Sequence, residues 1–265
     1  MISSSANERL KRLRRLRAKR RDRDDEGVFL VEGYRELRRA VDAGVEITEL
    51  YTSPPLFLGE NEPALIESVA ATVYEVSPDA FASIAARDRP DGLLAVARQL
   101  DTSLDRLDVP AVADGLLLVA EGVERPGNLG TMLRTAAAAG VAGVVVVDPK
   151  TDLFAPEAVR ASVGTLFAQP VSIATAADAA AWLQARQVKV VTASPDGDVD
   201  HWDVDMTGPV AIVVGSEQHG VTPVWLDAAD TVARIPMAGV DSINVAAAAA
   251  VMLFEAIRQR HEAPR

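Results

Sequence analysis

Short apolar runs alternate with longer amphipathic segments along most of the chain. From residue 114 onward, runs with the length and β-branched composition of buried strands lie near 115–120, 142–147, 188–193, 209–214 and 231–235. Segments with helical periodicity lie near 128–139, 155–161, 175–186, 221–229 and 242–260. Because strand and helix alternate, this part predicts an α/β fold, with a parallel sheet covered by helices on both faces.

The preceding part shows the same alternation on a smaller scale. It predicts strands at 27–32, 45–52, 72–76 and 92–98, with helices at 33–43, 63–70 and 78–86. Residues 101–113 are polar, contain Pro110 and lack periodicity, so they predict a linker. We therefore expect four segments: an N-terminal arm over 1–24, a small α/β domain over 25–100, the linker, and a larger domain over 114–265.

Composition narrows the class of protein. Cysteine is absent, which excludes disulfides and cysteine-liganded metal. The chain has no apolar run of roughly 18 residues, the length of a membrane span, and its N-terminal segment lacks the apolar stretch of a secretory signal. We expect a cytoplasmic protein that does not associate with membranes.

Charge is distributed unevenly along the chain. The formal net charge is −11, yet residues 1–23 contain ten Lys or Arg against only Glu8 and Asp22. A basic arm on an acidic body is typical of a protein that touches phosphates at one end, and we predict RNA contacts by Arg12 and Arg15. The alternative is a solvated basic helix that docks on the body through its leucines.

Three polar loops follow predicted strands of the larger domain. The first leads from the strand near 115–120 into a helix that begins around Asn128, and the second is Gly215 to Gly220. The third runs from Pro236 to Asn244, where Ser242 is a suitable N-cap for the last helix. Because ligands of open α/β sheets bind at the carboxyl ends of the strands, these loops predict a ligand site.

Together the loops resemble the three sequence motifs of the SpoU (TrmH-type) family of RNA ribose 2'-O-methyltransferases, within the SPOUT superfamily. The resemblance extends over roughly 116–260, and it is specific because three separate motifs occur in the right order. The matching positions are Asn128, Gly130 and Arg134 in the first motif, Gly215, Glu217 and Gly220 in the second, and Ile235, Pro236, Met237, Ser242 and Asn244 in the third.

The resemblance implies S-adenosylmethionine as methyl donor, without a metal. It implies that backbone groups near Gly215, Ile235 and Ile243 hold the donor. It also implies a deep trefoil knot in the larger domain and a homodimer. A small domain resembling the RNA-binding folds of ribosomal proteins often precedes this domain, and the segment from Phe29 to Ala40 is similar to its start.

Candidate catalytic residues come from all three motifs. Arg134 carries a permanent charge and five donors, and with the helix start at Asn128 it could hold an RNA phosphate and stabilise the developing charge on a ribose 2'-oxygen. Glu217 could orient Asn128 or Arg134, or lie near the sulfonium of the donor. The alternatives are that Arg134 is an ordinary surface arginine of a helix and that Glu217 is a loop carboxylate exposed to water.

The third motif adds Ser242 and Asn244 to the candidate catalytic residues, and two further residues are considered beside them. Asn244 is less expected inside a helix, which favours a directed hydrogen bond to substrate or to a catalytic residue. His219 is a weaker candidate for a general base, because the family motif does not require histidine at that position. Arg160 is a candidate RNA contact, and its alternative is a helix-end arginine bonded to a carbonyl.

The last helix is apolar on nearly every face up to Glu255. Such a helix is buried on more than one side, which agrees with a dimer interface. The alternative is a core helix of a monomer.

The main hypothesis is an S-adenosylmethionine-dependent RNA 2'-O-methyltransferase. The small domain and the basic arm favour rRNA over tRNA as substrate. A non-catalytic RNA-binding protein with the same fold is the second hypothesis. A nucleotide-binding dehydrogenase is disfavoured, because no predicted strand leads into a G-x-G-x-x-G sequence.

Overall fold

A computed structural model describes residues 1–107 and 115–262. In chain order, the described helices and strands are α1 (Glu8–Ala18), α2 (Arg20–Glu26), β1 (Val28–Glu32), α3 (Tyr34–Asp42), β2 (Ile47–Thr52), α4 (Glu62–Glu67), β3 (Thr72–Glu75), α5 (Pro78–Ala82), β4 (Leu93–Arg98), β5 (Leu116–Glu121), α6 (Pro126–Ala138), β6 (Gly143–Val147), α7 (Pro156–Ser162), α8 (Thr165–Ala168), β7 (Val171–Ala174), α9 (Ala176–Ala185), β8 (Lys189–Ala193), β9 (Val199–Asp200), β10 (Val210–Val214), α10 (Pro223–Ala228), β11 (Thr231–Arg234) and α11 (Val245–Glu262).

The chain divides into two compact units. The first contains Met1–Leu100 and Asp152–Ala168, and the second contains Asp101–Thr151 and Gln169–Arg265. This division differs from the predicted boundaries, which leave the segment with α7 and α8 in the larger domain. Aromatic packing explains the difference, because the rings of Phe154 and Phe167 lie 5.0 and 5.8 Å from that of Phe29 in β1.

The first unit is built on a four-stranded mixed sheet in the order β1-β4-β2-β3. Strand β4 is antiparallel to both of its neighbours, and β2 and β3 are parallel. Its apolar core includes the helix α1, which buries Leu10, Leu13 and Leu16 completely. The leucines of the predicted arm therefore dock, as the alternative interpretation of this segment expected.

The arginines proposed to contact RNA from the arm are already paired. Arg12 lies between Glu26 and Glu49, at 2.6 and 2.8 Å. Arg15 lies 3.4 Å from Asp22, and its side chain is about half exposed. RNA contact by these two residues stays a prediction, and Arg12 would have to exchange existing partners to make it.

The second unit contains a seven-stranded parallel sheet in the order β7-β6-β5-β10-β8-β11-β9. This confirms the predicted α/β fold with a parallel sheet. The predicted strands are present, whereas β7 and β9 escaped prediction because one follows a proline and the other has two residues. The trefoil knot stays a prediction.

Alternate residues of the central strands face opposite sides of this sheet, as a strand requires. Leu117, Val119 and Val213 pack in one cluster with Trp182 of α9 and Trp225 of α10. Helices α6 and α11 pack against each other, and α11 also packs on β10.

The predicted linker is only partly described. Residues 108–113 lie outside the described residues. Residues 101–107 pack on the second unit: Leu107 is buried in its apolar cluster, and the carbonyl of Thr102 accepts a hydrogen bond from the amide of Ile173. None of the described helices is both long and apolar enough to cross a membrane.

Candidate active site

A cavity of about 400 Å³ opens at the carboxyl edge of the parallel sheet in the second unit. Its walls come from the segments that follow β8, β10 and β11 and from the start of α11. The three positions predicted to hold a methyl donor by their backbone, Gly215, Ile235 and Ile243, all line it. Glu217 and Ser242 line it as well. The predicted donor positions and two of the predicted catalytic residues therefore share one cavity.

The loop after β10 is closed on itself by backbone hydrogen bonds. The amide of Ser216 donates to the carbonyl of Gly220 over 2.8 Å, and the amide of Gly220 donates back over 3.1 Å. A Cβ atom at Gly215 would lie only 2.1 Å from the backbone of Gly220, so the turn requires glycine there. The resulting tight turn brings Glu217 to the adjacent loop after β5.

Glu217 is bonded to the first motif. Its Oε1 accepts a hydrogen bond of 2.6 Å from the side-chain amide of Asn128, and its Oε2 accepts one of 3.2 Å from the backbone N–H of Glu124. The pairing of β10 with β5 makes this possible, because it sets the ends of the two strands side by side. The prediction that Glu217 orients Asn128 agrees with these contacts.

The same contacts set the ionisation of this carboxylate. Partial burial raises the pKa of Glu217, but hydrogen bonds from Asn128 and from backbone N–H groups outweigh burial and hold the pKa below its ordinary value. Glu217 is thus ionised at neutral pH and acts only as an acceptor.

Asn244 joins the third motif to the other two. Its Nδ2 donates to Oδ1 of Asn128 over 3.1 Å, and its own Oδ1 accepts from the N–H groups of Ala246 and Ala247, at 2.9 and 3.4 Å. Asn244 is therefore the N-cap of α11. The predicted N-cap, Ser242, is wrong because the helix begins only at Val245; Ser242 instead lies exposed beside the cavity.

Arg134 does not join this hydrogen-bonded group within one chain. It lies exposed on α6, and in the described part of the chain no hydrogen bond or ion pair links it to Glu217 or Asn244. His219 is exposed in the loop after β10, where its backbone N–H donates to the Ser216 hydroxyl over 3.1 Å. Arg160 is exposed on α7, which belongs to the first unit.

Two acidic residues near this edge were missed from the sequence. Glu121 is buried at the end of β5 and accepts from the backbone N–H and the hydroxyl of Thr222, at 2.8 and 2.7 Å, which fixes the chain after Gly220. Asp196 lines the cavity from the segment after β8. An acid that ends an apolar run, and a Ser-Pro-Asp-Gly turn after a predicted strand, were the signals.

These features define a cleft at the carboxyl edge of a parallel sheet, bordered by three polar loops that side-chain hydrogen bonds connect. Residues 115–254 match the model of the SpoU rRNA methylase family, and residues 7–95 match that of the MRM3-like substrate binding domain. The chain belongs to the SpoU rRNA methylase family and is an RNA methyltransferase.

Relatives agree over nearly the whole chain. A 23S rRNA (uridine(2479)-2'-O)-methyltransferase of Streptomyces viridochromogenes is 31% identical, with 97% of this chain and 92% of the relative covered. The 23S rRNA (guanosine(2553)-2'-O)-methyltransferase RlmP of Bacillus subtilis is 29% identical, with 96% and 97% covered. The crystal structure of the SpoU methyltransferase AviRb from Streptomyces viridochromogenes, in complex with the cofactor AdoMet, has a TM-score of 0.90 at 30% identity, with 97% of this chain and 100% of that chain covered.

Proposed function

We propose that this protein transfers a methyl group from S-adenosylmethionine to a ribose 2'-hydroxyl of rRNA. The observation that carries the proposal is the hydrogen-bonded series Glu217–Asn128–Asn244 beside the cavity lined by Gly215, Ile235 and Ile243. This series unites all three motifs at one edge of the sheet. A protein that only bound RNA would not need this constellation beside a cavity of donor size.

The residues around the cavity suit the methyl donor. Apolar side chains such as Ile235 and Ile243 offer walls for an adenine ring, while the carboxylates of Glu217 and Asp196 offer negative charge to a sulfonium or ammonium group. When bound, S-adenosylmethionine supplies an activated methyl group: the 2'-oxygen forms a bond to the methyl carbon as the carbon–sulfur bond breaks, and the hydroxyl proton is released.

The chain contributes alignment and electrostatic stabilisation. Glu217 holds the amide of Asn128 in one orientation, and Asn128 in turn holds Asn244, so the polar edge of the cavity is organised before substrate binds. Arg134 is assigned to the substrate, where its cation stabilises the negative charge that develops on the 2'-oxygen. Arg160 is assigned to the RNA backbone.

We assign rRNA rather than tRNA because both relatives named above act on 23S rRNA and align over nearly all of this chain. The match of residues 7–95 to a substrate binding domain supports a long RNA target. One relative modifies a uridine and the other a guanosine, so their names do not fix the base. Action on rRNA supports a cytoplasmic location.

The working form is proposed to be a homodimer. Helix α11 exposes Ala247, Val251 and Phe254 along one face, and the exposed Arg134 lies on α6, which packs against α11. A two-fold contact through this face would cover the apolar side chains. It would also bring Arg134 of one copy towards the Asn128–Glu217 pair of the other.

The test is methyl transfer to ribosomal RNA. Labelled S-adenosylmethionine is incubated with unmodified rRNA and the protein, and the nucleosides are separated by mass spectrometry. We expect one 2'-O-methylnucleoside, lost in Glu217→Ala and kept in Asp227→Ala, a control that removes an exposed carboxylate of the same unit. The proposal is refuted if no RNA, ribosomal or transfer, gains a 2'-O-methyl group.

A further inference from the structure

A second cavity, of about 630 Å³, lies wholly within the first unit. The first turn of α3, the segment leading into α4 and the segment before β4 form it. The side chains that matter are Tyr34, Arg35, Glu36, Glu62, Arg87 and Asp91. This cavity, which we call the α3 cavity, combines acids, bases and an aromatic ring.

Three of its carboxylates are buried and incompletely bonded. Glu36, Glu62 and Asp91 are only 4%, 3% and 6% exposed. One oxygen of each accepts no hydrogen bond from the described residues: Oε2 of Glu36, Oε2 of Glu62 and Oδ1 of Asp91. A buried acceptor without a donor is unfavourable, so three of them at one cavity indicate a ligand that supplies N–H groups.

The other oxygens of these acids hold the cavity in shape. Glu62 accepts from the backbone N–H groups of Leu58 and Gly59, at 3.1 and 2.9 Å. Asp91 accepts from the N–H of Tyr34 over 2.7 Å. These hydrogen bonds fix the carboxylates in place. In each carboxylate one oxygen is bonded and the other accepts no hydrogen bond from the described residues.

Cations and an aromatic ring accompany the acids. Arg87 pairs with Glu36 over 2.9 Å and lies 3.9 Å from Asp91. Arg35 and Arg160 also line the cavity, are exposed, and form no ion pair with another described residue. Free guanidinium groups at the rim suit phosphates, and the half-buried Tyr34 offers a ring for stacking. Carboxylates that can accept hydrogen bonds from a base, arginines that can bind phosphate and an aromatic ring that can stack on a base are together suited to a nucleotide.

We infer that the α3 cavity binds an unpaired guanosine of the RNA substrate. Single-stranded RNA is read by stacking on aromatic rings and by hydrogen bonds to the base edges. Guanine alone among the four bases presents two adjacent donors, N1–H and the 2-amino group, which the leftover oxygens of two neighbouring carboxylates can accept while an arginine donates to O6. Uracil, adenine and cytosine each place an acceptor next to their donor, which a second carboxylate oxygen repels.

This inference deepens the proposed function and depends on its RNA substrate. It assigns to the first unit a base preference, which backbone contacts alone would not give. The guanosine it binds is separate from the nucleotide that is methylated.

Fluorescence anisotropy with the full-length wild-type protein tests the inference without methyl donor. The probes are short labelled uridine oligomers that carry one central guanosine, inosine, adenosine or cytidine. We expect the guanosine probe to bind about tenfold more tightly than the adenosine or cytidine probe. Inosine, which lacks only the 2-amino group, should lose part of that advantage. Equal affinity for all four probes overturns the inference.

Two variants connect the preference to the cavity. Glu36→Gln should abolish the preference for guanosine while the affinities for the adenosine and cytidine probes stay unchanged. Arg35→Gln should weaken every probe alike, whereas Arg38→Gln, a matched control on the same helix that pairs with Asp42, should weaken none. Thermal melting checks folding. A guanosine preference that survives Glu36→Gln places recognition elsewhere and also overturns the inference.

The outcomes separate this inference from the proposed function. If the protein methylates rRNA but shows no preference for guanosine, only the inference that the α3 cavity binds guanosine is refuted. Guanosine preference without methyl transfer to any RNA refutes the proposed function alone.

Discussion

Glu217 fixes the orientation of Asn128, and through it that of Asn244. An ionised carboxylate can only accept, so the amide nitrogen of Asn128 must face Glu217, at 2.6 Å. The carbonyl oxygen of Asn128 is then left for the amide nitrogen of Asn244, whose own oxygen caps α11. The direction of every hydrogen bond in the series follows from one negative charge in the loop after β10.

Asn128→Asp tests this relay with almost no change of shape. Two carboxylates would then face each other across a hydrogen-bonding distance, and their repulsion would displace both side chains. We expect the single-turnover rate of methyl transfer to fall about a hundredfold at neutral pH, the size of effect that a misplacement of about 1 Å produces. Mildly acidic buffer should restore part of the rate, because the pair can then share a proton.

Asn7→Asp is the matched control for this variant. Asn7 caps α1 by accepting from the N–H of Arg9, and aspartate caps a helix equally well. Its rate should equal that of the wild type. A full rate for Asn128→Asp would show that the orientation of this amide does not matter to catalysis.

The lowered pKa of Glu217 predicts how stability depends on pH. Its folded-state pKa lies below the ordinary value of 4.5, so the carboxylate contributes stability that is fully present above that value and is lost as the pH falls through the folded pKa. Urea denaturation of wild type and Glu217→Gln should therefore differ most at neutral pH and converge below pH 4.5. A difference that widens on acidification would mean that the folded protein raises this pKa.

The strand and helix pattern was predictable because it depends on local periodicity. The predicted strands from Val28 to Arg234 occur in the structure, whereas β7 was missed because it follows a proline and β9 because it has only two residues. The placement of α7 with the first unit was not predictable, since it rests on Phe154 meeting Phe29 far away in sequence. Long-range packing of this kind leaves no mark in a local pattern.

Residues of the candidate site were predictable where a family motif specifies the side chain. They were less predictable where their role depends on backbone position or on long-range contacts. Glu217, Asn128 and Asn244 were identified by their motifs, and the structure bonds them together. The N-cap was misassigned to Ser242, because both residues are good caps and only the backbone shows where α11 begins. Glu121 could not be identified from the sequence, because its hydrogen-bond partner is Thr222, about 100 residues further along the chain. The pairing of β10 with β5 brings the two residues together.

Asn244→Ala and Ser242→Ala should therefore differ in their effects on stability and on kinetics. Removing the observed N-cap should lower the free energy of unfolding by about 1 kcal/mol and also slow methyl transfer, because Asn128 loses a donor. Ser242 caps nothing and lines the cavity, so its loss should leave stability within about 0.5 kcal/mol of wild type and raise the KM for S-adenosylmethionine. Chemical denaturation and steady-state kinetics measure both. Equal destabilisation by the two variants would contradict the assigned cap.

Arg134 provides the test of the proposed dimer. If each active site takes Arg134 from one copy and Glu217 from the other, Arg134→Ala and Glu217→Ala are each inactive alone but complement each other when mixed. A mixed dimer then has one intact site and one doubly damaged site, and random exchange should restore about a quarter of the wild-type activity. Phe254→Asp, which places a charge in the proposed contact, should prevent this rescue and yield monomers in sedimentation experiments. Absence of rescue between two variants that demonstrably exchange subunits would place Arg134 and Glu217 in the same copy, and the exposed position of Arg134 on α6 would then have to be explained by RNA binding from within one chain.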